Sequence, residues 1–162
     1  MPSDLLSLTL PATAPEPAPG IRLRPMSEAD AEALAHLYLA AYPPEVGAAD
    51  LEEAREEMRA SFAGEYGELR PDASLLALID GDPAGAVMTT THSIWDEDLE
   101  GPFIIDLFAD PQFQGRGVGR ALVSAAVSAC SQAGDGTLSL RVGEGTSPAA
   151  FRLYESLGFR HR

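Results

Sequence analysis

The sequence predicts an α/β fold, a mixed sheet flanked by helices. Three observations carry the prediction. Apolar residues switch between a period of two and a period of about 3.6, in the order β-α-α-β-β-β-α-β-α. An apolar run at Phe103–Ala109 passes through a glycine-rich turn, Gly115–Gly119, straight into a helical pattern. The 162 residues, 45% hydrophobic and 22% charged, have the composition of a globular domain long enough to bury a core.

Each element has its own warrant. Residues 1–20 hold five prolines and read as an extended, poorly ordered leader. Within it Leu6, Leu8 and Leu10 alternate with Ser7 and Thr9, so a short strand at 5–10 is an option. Residues 21–162 are expected to form a single domain. Ile21–Arg24 alternates as the first core strand. Ser27 with Asp30 approaches a capping box for a helix carrying Leu34, Leu37, Tyr38 and Ala41 on one face, and Pro43-Pro44 stops it. Asp50 with Glu53 repeats the signature. The helix it opens turns Leu51, Ala54, Met58 and Phe62 one way, with Glu52, Glu53, Glu56 and Glu57 mostly outward. Ser74–Ile79 and Ala84–His92 read as antiparallel strands around the Asp80-Gly81-Asp82-Pro83 turn. Ile94–Gly101 is an acidic loop. After the Phe103–Ala109 strand, a helix runs from Val118 to about Gln132, then a strand over Thr137–Val142. Ser147 caps a last helix with Pro148 at its first position, and Gly158 ends it.

Charge and cysteine usage narrow the function classes. The net charge is −14, and all 11 basic residues are Arg. That balance argues against a non-specific nucleic-acid binder and a polybasic membrane-surface protein. Residues 28–100 carry 18 acids and three Arg, so the negative charge is concentrated in the middle of the chain. The single Cys130 excludes an intrachain disulfide and a multi-cysteine metal site, and reads as a small buried hydrophobe. No metal, no nucleic acid, no membrane and a cytoplasmic location are the expectations.

The segment 103–120 carries the chemistry. Successive backbone N–H groups at a helix start converge on one spot, the helix dipole favours an anion there, and glycines admit its oxygens. Arg116 and Arg120 stand beside the turn. The Rossmann pattern is absent because Arg120 occupies the third glycine's place, and a P-loop needs a Lys that the chain lacks. What remains is Gln114-x-x-Gly117-x-Gly119, which taken alone also suits a tight strand–helix turn.

In context this segment closely resembles motif A of the GNAT acyl-CoA N-acyltransferase superfamily. Ala150-x-x-Leu153-Tyr154-x-x-x-Gly158-Phe159 resembles the family's other helix signature. The resemblance implies a mostly antiparallel sheet with about four helices and a short or missing last strand. It implies acetyl-CoA, or another acyl-CoA, as co-substrate. The N–H groups of Gln114, Gly115, Arg116, Gly117, Val118 and Gly119 would cradle its pyrophosphate, with Arg120 beside them. The amides of Leu107 and Ala109 would pair with its pantetheine arm, and Ser147 stands where the family often has Asn against the cofactor. Tyr154 takes the place of the family's general acid; an amphipathic core tyrosine is the other reading.

The acceptor would be a small-molecule or peptide amine, and the acidic middle of the chain suits a cationic one. Asp106 interrupts an apolar strand, and a lone acid there is either paired with Arg or functional, as a base for the amine. Glu100, Asp98 and His92 are weaker candidates. Trp95 lines an acceptor pocket or covers the core edge. The family usually continues past Gly158-Phe159 into two further strands, so either the Leu5–Leu10 strand or a second copy, in a homodimer, is expected at that edge. The expected function is acyl transfer to a primary amine by direct attack in a ternary complex. A non-catalytic acyl-CoA-binding sensor or partner module on the same fold is the alternative.

Overall fold

In the computed structural model, which describes residues 4–143 and 146–162, seven strands form one sheet. The elements are β1 (Leu5–Thr9), β2 (Ile21–Pro25), α1 (Ala31–Ala41), α2 (Leu51–Phe62), β3 (Leu75–Ile79), β4 (Asp82–Thr90), β5 (Phe103–Ala109), α3 (Val118–Gln132), β6 (Thr137–Arg141), α4 (Pro148–Ser156) and β7 (Arg160–His161). The sheet order is β2-β3-β4-β5-β6-β1-β7. Every neighbouring pair is antiparallel except β5 and β6. The mixed, mostly antiparallel sheet with four helices and a short last strand is the expected fold class.

The caps read in the sequence are made. Asp50 accepts from the Glu53 N–H at 2.9 Å while Glu53 accepts from the Ala49 N–H at 2.8 Å. Ser147 accepts from the Ala150 N–H at 3.0 Å. The Ser27–Asp30 pair frames a single 3-10 turn before α1, with the Ser27 N–H donating to the Asp30 carboxylate at 2.9 Å. Arg24 then clamps that carboxylate through both guanidinium nitrogens.

Two apolar layers sandwich the sheet. Leu34, Leu37, Tyr38 and Met58 of α1 and α2 pack on Leu76, Ala86, Met88 and Phe108. On the other face Val118, Leu122, Val123, Val127 and Cys130 of α3 pack on Leu75, Ile79 and Val87. Burial pushes the Cys130 thiol up to about 11, in keeping with an inert core residue. Gly85 on β4 lets α3 come this close: a Cβ there would lie 2.7 Å from Val118 Cγ1 and 2.9 Å from the Phe108 carbonyl oxygen.

The edge that the resemblance left open is filled by the chain's own N-terminal strand. β1 lies between β6 and β7, in register Leu6↔Leu140 and Leu8↔Leu138 on one side and Leu6↔His161 on the other. Leu6, Leu8 and Leu10 are buried, and the Ser7 and Ser139 hydroxyls meet at 2.7 Å. Of the expected leader, residues 1–3 lie outside the described residues. The stretch after β1 has no regular structure, yet it is not loose. Ala12 donates its N–H to Ser131 Oγ at 3.2 Å, and Ala12 and Ala14 pack on the core.

Candidate active site

β5 and β6 start side by side and then part. Only Phe103↔Ser139 and Ile104↔Leu140 are paired, while β5 runs on to Ala109 along β4. The gap between two diverging parallel strands opens a cleft at their C-terminal ends, where open α/β sheets bind ligands. It has a volume of about 1120 Å³, in the range of small-molecule sites.

The β4–β5 ladder fixes which β5 groups face this gap. Asp110 donates its N–H to the Ala84 carbonyl at 2.9 Å. Antiparallel bonding alternates, so Phe108 bonds toward β4 at Ala86, and Leu107 and Ala109 turn their backbone groups to the opposite, unpaired edge. These are the two residues whose amides the family resemblance assigns to the pantetheine arm.

At the mouth the turn 114–117 leads into α3. Gly117 is the N-cap in the left-handed region, φ +82°, which a side chain would strain. Gln114 and Arg116 spend their N–H groups on the Pro111 and Phe113 carbonyls, at 3.1 and 3.2 Å. The N–H donors without a protein acceptor among the described residues are therefore those of Gly115, Gly117, Val118, Gly119 and Arg120. They form a narrower cradle than the sequence suggested, because the 3-10 turn Pro111–Phe113 absorbs the first donors. Gln114 still lines the cleft with its side chain; Arg116 does not. Arg120 and Arg152 line it beside the cradle, with Arg120 held to Ser156 Oγ at 2.8 Å. Ser147 also lines the cleft, its oxygen already taken as the α4 cap.

The inner end holds the titratable groups. Asp106 has no Arg partner among the described residues. Its Oδ1 accepts from the Tyr42 hydroxyl at 2.7 Å, and that hydroxyl also reaches the Leu107 carbonyl at 2.9 Å. Asp106 contributes to the cleft wall, yet protein surrounds the rest of it. Desolvation therefore pushes its carboxyl up to about 7, against the opposing pull of the Tyr42 hydrogen bond. The Glu57 charge raises it further. Tyr154 is 7% exposed, and burial first, then the Asp106 charge, drive its pKa well above the ordinary phenol value. Among the described residues its hydroxyl has no hydrogen-bond partner. The phenol therefore keeps its proton where it lines the cleft.

Two site features escaped the sequence. Tyr42 stands just before the Pro43-Pro44 stop, and nothing local in the sequence marks its reach to β5. Glu57 was expected among the outward glutamates, but it lines the cleft and accepts from the Tyr66 hydroxyl at 3.0 Å. It stands three residues after the buried Ala54 and four before the buried Ser61, so helical periodicity puts it on the inward side of α2. Trp95 is 55% exposed, lines the cleft and stacks on Tyr66 with ring centroids 6.5 Å apart. Asp98, Glu100 and His92 are exposed and do not line it.

The sequence model of the acetyltransferase (GNAT) family matches residues 31–159. The chain belongs to the GNAT family. Among curated GNAT relatives, a mycothiol acetyltransferase of Thermobispora bispora is 34% identical over 94% of this chain and 50% of its own length. A mycothiol acetyltransferase of Beutenbergia cavernae is 37% identical over 86% of this chain and 45% of its own. The chain thus spans about half the length of the curated relatives it matches. Of solved structures, a GCN5-related N-acetyltransferase from Sphaerobacter thermophilus superposes with TM-score 0.71 at 20% identity, over all of this chain and 50% of that one. The ribosomal-protein-S18-alanine N-acetyltransferase of Escherichia coli does so with TM-score 0.64 at 24% identity, over 86% and 77%. At these identities the structures share the GNAT fold.

Proposed function

We propose that this protein is an N-acetyltransferase, moving an acetyl group from acetyl-CoA to a primary amine by direct attack in a ternary complex. The observation that carries the reading is the cleft itself. Five free N–H donors at the start of α3, the unpaired β5 edge at Leu107 and Ala109, Asp106 and Tyr154 all converge on one opening. Family membership supplies the acyl donor.

The residues divide the work. The α3 cradle with Arg120 and Arg152 holds the pyrophosphate end by hydrogen bonds and charge. An amide on the β5 edge polarises the thioester carbonyl where negative charge develops. Asp106, with a carboxyl near 7, takes the proton of the incoming ammonium directly or through water. Tyr154 gives its proton to the departing thiolate. Among the described residues Cys130 is buried in the core and the cleft serines Ser61, Ser147 and Ser156 are bonded to backbone groups with no base bonded to them, so rate comes from positioning, the amide donor and these two proton transfers.

The test is thiol release from acetyl-CoA against a panel of amines, amino acids and peptide N-termini, paired with calorimetric titration of acetyl-CoA. Gly117→Glu puts strain and a negative charge into the cradle, so acetyl-CoA affinity should fall at least about tenfold. Tyr154→Phe should leave that affinity intact and lower kcat by about 100-fold. Tight acetyl-CoA binding with no thiol release across the panel would favour the sensor reading instead.

A further inference from the structure

α2 carries four glutamates and two arginines besides its cap, and their pairing is uneven. Glu52 is bonded to Arg55, and Glu56 to Arg59. Arg55 also holds Glu32 of α1, Arg59 also holds Glu65, and Glu53 is spent on the cap at Ala49. Glu53, bound only to a backbone N–H, and Glu57 have no cationic partner among the described residues, and of the two Glu57 is not used by the cap. It is also the one that lines the cleft.

Its surroundings are aromatic. The Tyr66 hydroxyl donates to Glu57 Oε1 at 3.0 Å, and Tyr66 lies under the indole of Trp95, with 24° between the rings. Trp95 packs on Phe103 at 6.0 Å and leaves more than half its surface open. Of the cleft-lining cations, Arg141 is paired with Asp4 and Asp96 and Arg120 is bonded to Ser156, and neither is paired with Glu57. Asp106, on the same cleft wall, feels the Glu57 charge.

A carboxylate without a cationic partner, held by the hydroxyl of a tyrosine whose ring stacks on an exposed tryptophan, offers both charge and aromatic surface to an organic cation. We propose that Glu57, Tyr66 and Trp95 form a second cation subsite, and that the acceptor is a diamine-type molecule. One of its amines is acetylated at Asp106, and the other stays charged against Glu57 with its methylenes along the indole face. This rests on the acetyl-transfer reading for the role of Asp106, but the subsite is a matter of binding and can be read without turnover.

The experiment uses 1,3-diaminopropane and 1,4-diaminobutane against propylamine and butylamine, with the full chain. Calorimetric titration, with and without saturating acetyl-CoA, should show the better diamine binding at least about tenfold tighter than its monoamine. Glu57→Gln keeps an acceptor for the Tyr66 hydroxyl and should bring that ratio close to one; Glu57→Asp should restore part of it. In thiol-release kinetics the same substitution should raise KM for the diamine more than it lowers kcat. Equal binding of diamine and monoamine by the native protein, or a ratio unchanged in Glu57→Gln, overturns the subsite. Absence of thiol release with every amine overturns the acetyl-transfer reading and leaves the binding ratio to decide the subsite separately.

Discussion

Asp106 couples chemistry to stability at a single residue. Its folded pKa, about 7, stands above the ordinary Asp value, so the folded state holds a proton that the unfolded chain has already lost between pH 4 and 7. Stability contributed by the protonated form is therefore present at low pH and declines as pH rises to about 7, then levels off. Asp106→Asn removes that dependence. Thermal melts should show the variant gaining on the native protein from pH 5 to pH 8, by on the order of 2 kcal/mol at the upper end. In kinetics the native rate should climb through about pH 7, and the variant should lose both the climb and at least about 100-fold in kcat. A variant whose profile still climbs would assign the base elsewhere. The sequence showed Asp106 as an anomaly in an apolar strand and left Arg pairing and function even. The Tyr42 hydroxyl in place of an Arg is what the folded geometry added.

At the scale of elements, the cradle depends on how closely α3 lies on the sheet. Gly85→Ala forces a Cβ against the Phe108 carbonyl, a backbone atom that cannot swing away. Such overpacking costs about 1–3 kcal/mol and should displace the first turn of α3. A lower melting temperature together with weaker acetyl-CoA binding is expected, although Gly85 lies outside the cleft lining. The helix limits at Val118–Gln132 and Pro148–Ser156 were legible because caps and glycines are local signals. β5 was legible to the residue, as an apolar run with one acid. The divergence of β5 from β6 was not, since periodicity says which way side chains point and nothing about where a neighbouring strand departs.

At the scale of the molecule, two features set behaviour. The first is closure of the sheet by its own N-terminal strand. Leu8 is 7% exposed and packs beside Gly158 and the α4 side of the core, so Leu8→Ala should cost about 2–4 kcal/mol in denaturant unfolding. A substitution that leaves stability unchanged would mean β1 is dispensable. The second is the division of charge. Four acids of residues 28–100, Glu32, Glu52, Glu56 and Glu65, are surface groups paired with Arg55 and Arg59, whereas Glu57 of that segment and Asp106 beyond it line the cleft. Screening acts on the long-range part of that field, so kcat/KM for cationic acceptors should fall with added salt more steeply than for neutral ones.

The sequence by itself determined the element order, the caps, the glycine turn and the two family motifs, because each rests on residues a few positions apart. Only the tertiary structure decided that β1 completes the sheet and that β5 presents Leu107 and Ala109 to an open edge. It also decided that Tyr42 meets Asp106 and that Glu57, of the four glutamates of its helix, is the one that lines the cleft. Those are contacts between residues distant in the chain. Their partners are fixed by strand register and helix docking, which the packing of the whole core selects.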